Sequence, residues 1–175
     1  IKFEYPLGGV PTLTFKDATL DQIGDNGGTL YYLQSDGTYK STGTCSGVLI
    51  KSGYMTDLKV ILQGTNRIEA NNGIIRGHVG SSQYFKNITI IGEEGSSLTG
   101  TGQGIGISCA PGYDMTIENA NIDVRTASGG GTPIPIRAEN GNLTIINSTI
   151  KASNTKNVAI GTIDSGNITI IDSTV

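Results

Sequence analysis

The chain has 175 residues with 26 Gly, no Trp and only 15% charged residues, which suits a turn-rich all-β domain better than a helical one. A formal charge of −3 and the lack of a basic stripe argue against a nucleic-acid partner. No run approaches the roughly 18–20 apolar residues of a membrane span, and no 3.6-residue apolar period is sustained.

Residue 1 is Ile and no signal peptide is present, which reads as a mature, trimmed or excised product. Residues 1–46 read as an N-terminal cap with an irregular first coil. They hold the phrase Thr12-Leu13-Thr14-Phe15 and then a segment in which Asp36-Gly37, between Tyr-rich flanks, signals a β-hairpin. A cap is expected because an open strand edge invites pairing with other chains.

Residues 47–175 read as one continuous array of coils. The phrase Asn142-Leu143-Thr144-Ile145-Ile146-Asn147-Ser148-Thr149-Ile150 returns as Asn167-Ile168-Thr169-Ile170-Ile171-Asp172-Ser173-Thr174-Val175, with weaker copies at 114–122, 87–90 and 12–20. Setting Val60, Ile88, Met115, Leu143 and Ile168 as equivalent gives spacings of 28, 27, 28 and 25 residues. Each unit then offers three short strands. The first is the Leu-Thr-Ile phrase. The second runs through Ile68-Glu69-Ala70, Leu98-Thr99-Gly100, Ile122-Asp123-Val124 and Ile150-Lys151-Ala152. The third runs through Val48-Leu49-Ile50, Gly73-Ile74-Ile75, Ile105-Gly106-Ile107, Ile134-Pro135-Ile136 and Val158-Ala159-Ile160. A repeat of roughly 25–30 residues built from strands predicts an all-β, right-handed parallel β-helix, a three-faced β-solenoid. Alternation along each strand sends Ile90, Ile117, Ile145 and Ile170 inward as a core column. Val175 closes its phrase in mid-coil, so either the chain is cut from a longer protein or another copy or domain stacks on that end.

Several groups of residues are candidates for function. The outward column Thr14, Thr89, Thr116, Thr144 and Thr169 offers one rank of hydroxyls, and the β-propensity of Thr accounts for it. Tyr54, Tyr84 and Tyr113 fall in the turn before the first strand of successive coils, with Gln83 and Asp114 beside them. Aromatic rings at a coil edge suit the C–H face of a sugar while amides meet its hydroxyls; the bland alternative is that each Tyr merely covers its turn. Leu49, Ile74, Gly106, Pro135 and Ala159 form an outward strip that is small or apolar. Such a strip wants a cover, either the segment Ile1-Lys2-Phe3-Glu4-Tyr5 or a partner or neighbouring copy. Asn119, Asn147, Asp17 and Asp172 follow the first strand and read as turn-forming residues. The Asn-x-Ser/Thr sequons at 87, 142, 147 and 167 are by-products of the repeated phrase. Cys45 and Cys109 allow one disulfide, yet they sit two coils apart, and two buried thiols explain them as well. His78 in Gly77-His78-Val79-Gly80 reads as a turn residue.

The Leu-Thr-Ile and Ser-Thr-Ile phrases, Leu62-Gln63-Gly64-Thr65-Asn66-Arg67-Ile68 and Gly104-Ile105-Gly106-Ile107 resemble the pectate-lyase-type β-helices. The likeness is nearer to the non-catalytic carbohydrate-binding β-helix domains of secreted clostridial and gut-bacterial surface proteins, over about 45–175. The resemblance implies an extracellular or cell-surface protein that binds a polysaccharide or cell-wall glycan. Those domains often hold calcium through Asp-Asp before a Gly-Ile strand, whereas this chain has Asn71-Asn72-Gly73-Ile74, so no metal or cofactor is expected. The paired carboxylates of the hydrolases are missing, and Arg76 and Arg125 lack an acidic cluster, so catalysis is not expected. The sequence thus points to an adhesion or carbohydrate-binding module. Tyr54, Tyr84, Tyr113, Gln83 and Asp114 are its candidate ligand residues, and Leu49, Ile74, Pro135 and Ala159 a candidate partner interface. Alternatives are a structural protomer that stacks end to end into a fibre or stalk and, more weakly, a polysaccharide lyase or hydrolase.

Overall fold

Alternating apolar residues in short segments separated by Gly, Asn and Ser build strands that bury one side, and the chain stacks those strands in parallel. A computed structural model describes residues 1–4, 6, 8–21, 29–33, 39–44, 50–52, 56–70, 73–79, 82–83, 85–103, 105–127, 133–154 and 158–175. Among them every regular element is a strand.

The first face stacks Thr12–Lys16, Thr56–Gln63, Phe85–Gly92, Met115–Glu118, Leu143–Ile146 and Ile168–Ile171, each parallel to the next. The second face stacks Thr19–Asp21, Thr65–Ala70, Ser97–Gln103, Asn121–Ala127 and Thr149–Asn154. Ile75–Arg76, Ile105–Ser108, Ile134–Glu139 and Ile160–Ile163 form the third. The expected β-solenoid is therefore present. Its regular pairing already includes Thr12–Lys16 and Thr19–Asp21, within the segment assigned to the cap. The hairpin signal at Asp36-Gly37 lies between Thr29–Leu33 and Tyr39–Thr44, which pair antiparallel.

The core is a set of columns. Ile88, Met115 and Leu143 stack in register, as do Ile90, Ile117 and Ile145, and all six are fully buried. Burying a side chain of this size contributes roughly 1.5–3 kcal/mol, so each column is a main source of stability. Its last members differ. Ile168 and Ile170, on the final strand, remain 43% and 48% exposed.

Two register assignments need correction. Leu58, not Val60, pairs with Ile88, while Val60 pairs with Ile90 and Leu13 with Val60. Thr14 therefore stacks on Ile61 and falls outside the Thr column, whose register runs Thr12, Lys59, Thr89, Thr116, Thr144 and Thr169. On the second face Ile68 pairs with Gly100, and Asn66 occupies the level of Leu98, Ile122 and Ile150. The cause is the same in both places. Leu58, Val60 and Leu62 are three consecutive inward positions, and a slip of two residues leaves every side chain on its original side.

Asn66 holds that apolar level by satisfying itself. Fully buried, it accepts from Ala18 N through Oδ1 (2.9 Å) and donates through Nδ2 to the carbonyls of Gln63 (3.1 Å) and Ser97 (3.2 Å). Ser148 and Ser173 do the same at later corners, accepting from Ala120 N (3.1 Å) and Ser148 N (3.0 Å). Asn66→Leu restores the apolar pattern but orphans buried backbone groups. It is expected to lose about 1–3 kcal/mol in urea unfolding, and an unchanged or raised midpoint would remove this role.

Candidate binding notch

Corners between the first and second faces are short because the chain only has to turn. Asp17, Asn119, Asn147 and Asp172 make the turn with φ of 44, 52, 45 and 47, a left-handed conformation that Asn and Asp tolerate. The structural reading of these residues is correct, and Asn147 Nδ2 also donates to Asn119 Oδ1 across coils (2.7 Å). One corner is longer. Glu93-Glu94-Gly95-Ser96 forms a turn closed by Ser96 N donating to Glu93 O (2.9 Å), with Gly95 at φ 72. The neighbouring coil presses close behind it, since a Cβ on Gly92 would lie 2.3 Å from Asn119 O.

The longer turn beside its shorter neighbours leaves a notch of about 510 Å³. Its polar lining comes from Glu93, Glu94, Ser96, Asn119, Asn121, Asn147 and Thr149 on three successive coils, with no Lys or Arg among the lining residues. Glu93 Oε1 accepts from Gln63 Nε2 (2.7 Å), which fixes that side of the turn. Asn119 is held by Asn147 on one side and donates to Glu118 Oε1 (3.4 Å) on the other. Glu94, Asn121 and Thr149 are exposed. Ser96 is buried, and its Oγ has no hydrogen-bond partner among the described residues. Sequence reasoning missed this site. The signal was the lengthened segment Glu93-Glu94-Gly95 in a repeat whose other corners between the first and second faces take one or two residues.

The residues expected to bind a ligand are placed as follows. Tyr54 and Tyr84 lie outside the described residues. Gln83 belongs to a small hairpin in which Ser82–Gln83 pairs antiparallel with His78–Val79, so His78 stands in a strand and not in a turn. Tyr113 is half-buried in the corner between the third and first faces, where a Cβ on Gly141 would lie 1.9 Å from its carbonyl oxygen. Asp114 is exposed, but its Oδ1 accepts from both Asn142 N (2.8 Å) and Asn142 Nδ2 (3.1 Å). It belongs to a ladder in which Asn87 N reaches Asp57, Asp114 N reaches Asn87 and Asn167 N reaches Asn142, at 3.0–3.2 Å. The sequon asparagines 87, 142 and 167 are rungs of this ladder. Tyr113 and Asp114 therefore stand at one corner of the first face and the notch at the other.

The apolar strip is corrected outright. Ile74, Gly106, Pro135 and Ala159 do share one level of the third face, while Leu49 lies outside the described residues. They do not form an exposed surface. Ile74 is fully buried and reaches inward, its Cδ1 2.3 Å from where a Cβ on Gly100 would be. Gly100 leaves a gap in the second-face column, and Ile74 fills it from the corner after Gly73. Gly106 and Pro135 are buried and Ala159 is half-buried. Nor does the N-terminal segment cover the strip. Lys2–Glu4 pairs antiparallel with Thr12–Lys16 and covers the edge of the first sheet instead.

Family models, curated proteins and solved structures give no match to this chain. What is shown is the β-solenoid itself, and the narrower likeness to pectate-lyase-type or clostridial and gut-bacterial domains rests on the sequence phrases alone.

Cys45 lies outside the described residues. Cys109 is buried, with Sγ donating to Tyr113 O (3.0 Å). Burial is the main cause that pushes its thiol from 9.0 up to about 11. Below pH 9 both folded and unfolded chains keep the proton, so this group adds no pH dependence. Above it the unfolded thiol ionises first, so stability falls as pH rises from about 9 toward about 11. Urea midpoints below and above pH 9 should decline more in the wild type than in Cys109→Ala; parallel declines would refute the assignment.

Proposed function

We propose that this chain is a non-catalytic β-helix module, extracellular or at the cell surface, that binds carbohydrate and serves adhesion. The pectate-lyase-like phrases of the sequence belong with this reading. The observation that carries it is the notch between the Glu93–Ser96 turn and the neighbouring corners. Its volume of about 510 Å³ falls in the range of roughly 300–1,000 Å³ typical of small-ligand sites. Its lining of amides, hydroxyls and carboxylates matches the donors and acceptors that a sugar presents. Glu93 and Glu94 sit together on one turn, and Glu93 is tied to Gln63, so they do not flank a scissile bond as acid and base. The site is rigidly backed, because the corners beneath it are pinned by the Asn and Ser hydrogen bonds.

Native affinity electrophoresis through gels carrying neutral, amino-substituted and acidic polysaccharides tests the binding reading. Selective retardation is expected. Asn121→Ala and Thr149→Ala should each weaken it about 2–10-fold, the equivalent of one hydrogen bond. Free migration in every gel by a chain with intact β-structure would overturn the binding reading.

A further inference from the structure

We infer that Asn140 is a site of self-modification, at which the folded chain closes a succinimide with Gly141 and opens it to aspartate and isoaspartate. This goes beyond the binding reading and does not depend on it. The fold itself creates the reactive pair. Asn140 turns the corner between the third and first faces with φ 55, the left-handed conformation that Asn tolerates. The next position admits only glycine. A Cβ on Gly141 would lie 1.9 Å from Tyr113 O, and the Gly141 carbonyl oxygen stands 1.9 Å from where a Cβ on Gly166 would be.

Three left-handed asparagines can be compared, since Asn119, Asn140 and Asn147 have φ of 52, 55 and 45. The amides that follow Asn119 and Asn147 are occupied. Ala120 N donates to Ser148 Oγ (3.1 Å) and Ser148 N to Ser173 Oγ (3.0 Å). Gly141 N makes no hydrogen bond among the described residues, so no partner holds its proton or its direction. Asn140 is exposed, and its Oδ1 accepts from Ser165 Oγ (3.2 Å), which draws electrons from Cγ. Its Nδ2, the leaving nitrogen, makes no hydrogen bond among the described residues. The N–H proton of Gly141 passes to water or hydroxide, and the nitrogen pair bonds to Asn140 Cγ. The Cγ–Nδ2 bond then breaks and ammonia leaves. One water opens the ring at either carbonyl. Opening on one side gives aspartate, and opening on the other routes the main chain through Cβ and Cγ as isoaspartate.

The test incubates the whole chain at neutral pH, folded and in urea, and follows each asparagine by peptide mass spectrometry. Mapping keeps Asn140 apart from Asn26 and Asn72, which also precede glycine and lie outside the described residues. Each folded rate is divided by the rate of the same residue in the unfolded chain, which removes the effect of the following side chain. The ratio for Asn140 should exceed those for Asn119 and Asn147 by about tenfold or more, as the barrier added by one hydrogen bond gives. Its product should contain both aspartate and isoaspartate. Ser165→Ala should slow Asn140 about two- to fivefold in the folded chain and leave the unfolded rate unchanged. Equal ratios for the three asparagines would overturn the inference, as would an Asn140 that keeps its amide when folded while the unfolded chain converts. Aspartate alone would mean direct hydrolysis and would overturn the succinimide. An unchanged folded rate in Ser165→Ala would overturn the role given to that hydroxyl.

Discussion

Stacking in register is the constraint from which everything else in this molecule follows. Parallel strands in a sheet lie about 4.8 Å apart, so a residue repeated in each coil meets its own equivalent above and below. For Ile90, Ile117 and Ile145 this produces a dry column. For Asn87, Asp114 and Asn142 it produces a ladder of side chains bonded to backbone N–H groups. For Asn119 and Asn147 it produces left-handed corners that lock together. One geometric rule thus turns a nine-residue phrase into a core, an edge and a corner.

The same rule explains why deviations are informative. A solenoid that repeats without change exposes flat faces and short corners, and neither encloses a ligand. Concavity arises where one coil differs from the next. The Glu93–Ser96 turn is such a difference, and it falls beside corners stiffened by hydrogen bonds. A rigid floor with one added wall needs little reordering to bind, which limits the entropic cost of association. Gly100 and Ile74 show the opposite outcome, a deviation in one column compensated from another so that the core stays filled.

Charge and burial divide the molecule further. On the second face Arg67 pairs with Glu69, and Arg125 lies 3.4 Å from Asp123, along their own strands. Exposed pairs of this kind contribute little to stability. They keep an outward sheet surface soluble and balanced, and the carboxylates of the notch stand out against it because Glu94 has no such partner among the described residues.

The repeat phrase, read alone, determined the β-solenoid, the three faces, the inward columns and the turn role of Asn119, Asn147, Asp17 and Asp172. These follow from local alternation and from residue preferences at left-handed corners, both of which are written in short segments. Only the tertiary structure decided the pairing of Leu58 with Ile88, because apolar alternation is unchanged by a shift of two. It also turned Ile74 inward, since the space it fills belongs to Gly100, 26 residues along the chain. Asp114 became a rung of the backbone ladder for a similar reason: its partner Asn142 is a full coil away. The notch is the clearest case. It is a difference in length between neighbouring corners, and such a difference has no shape until the coils are stacked.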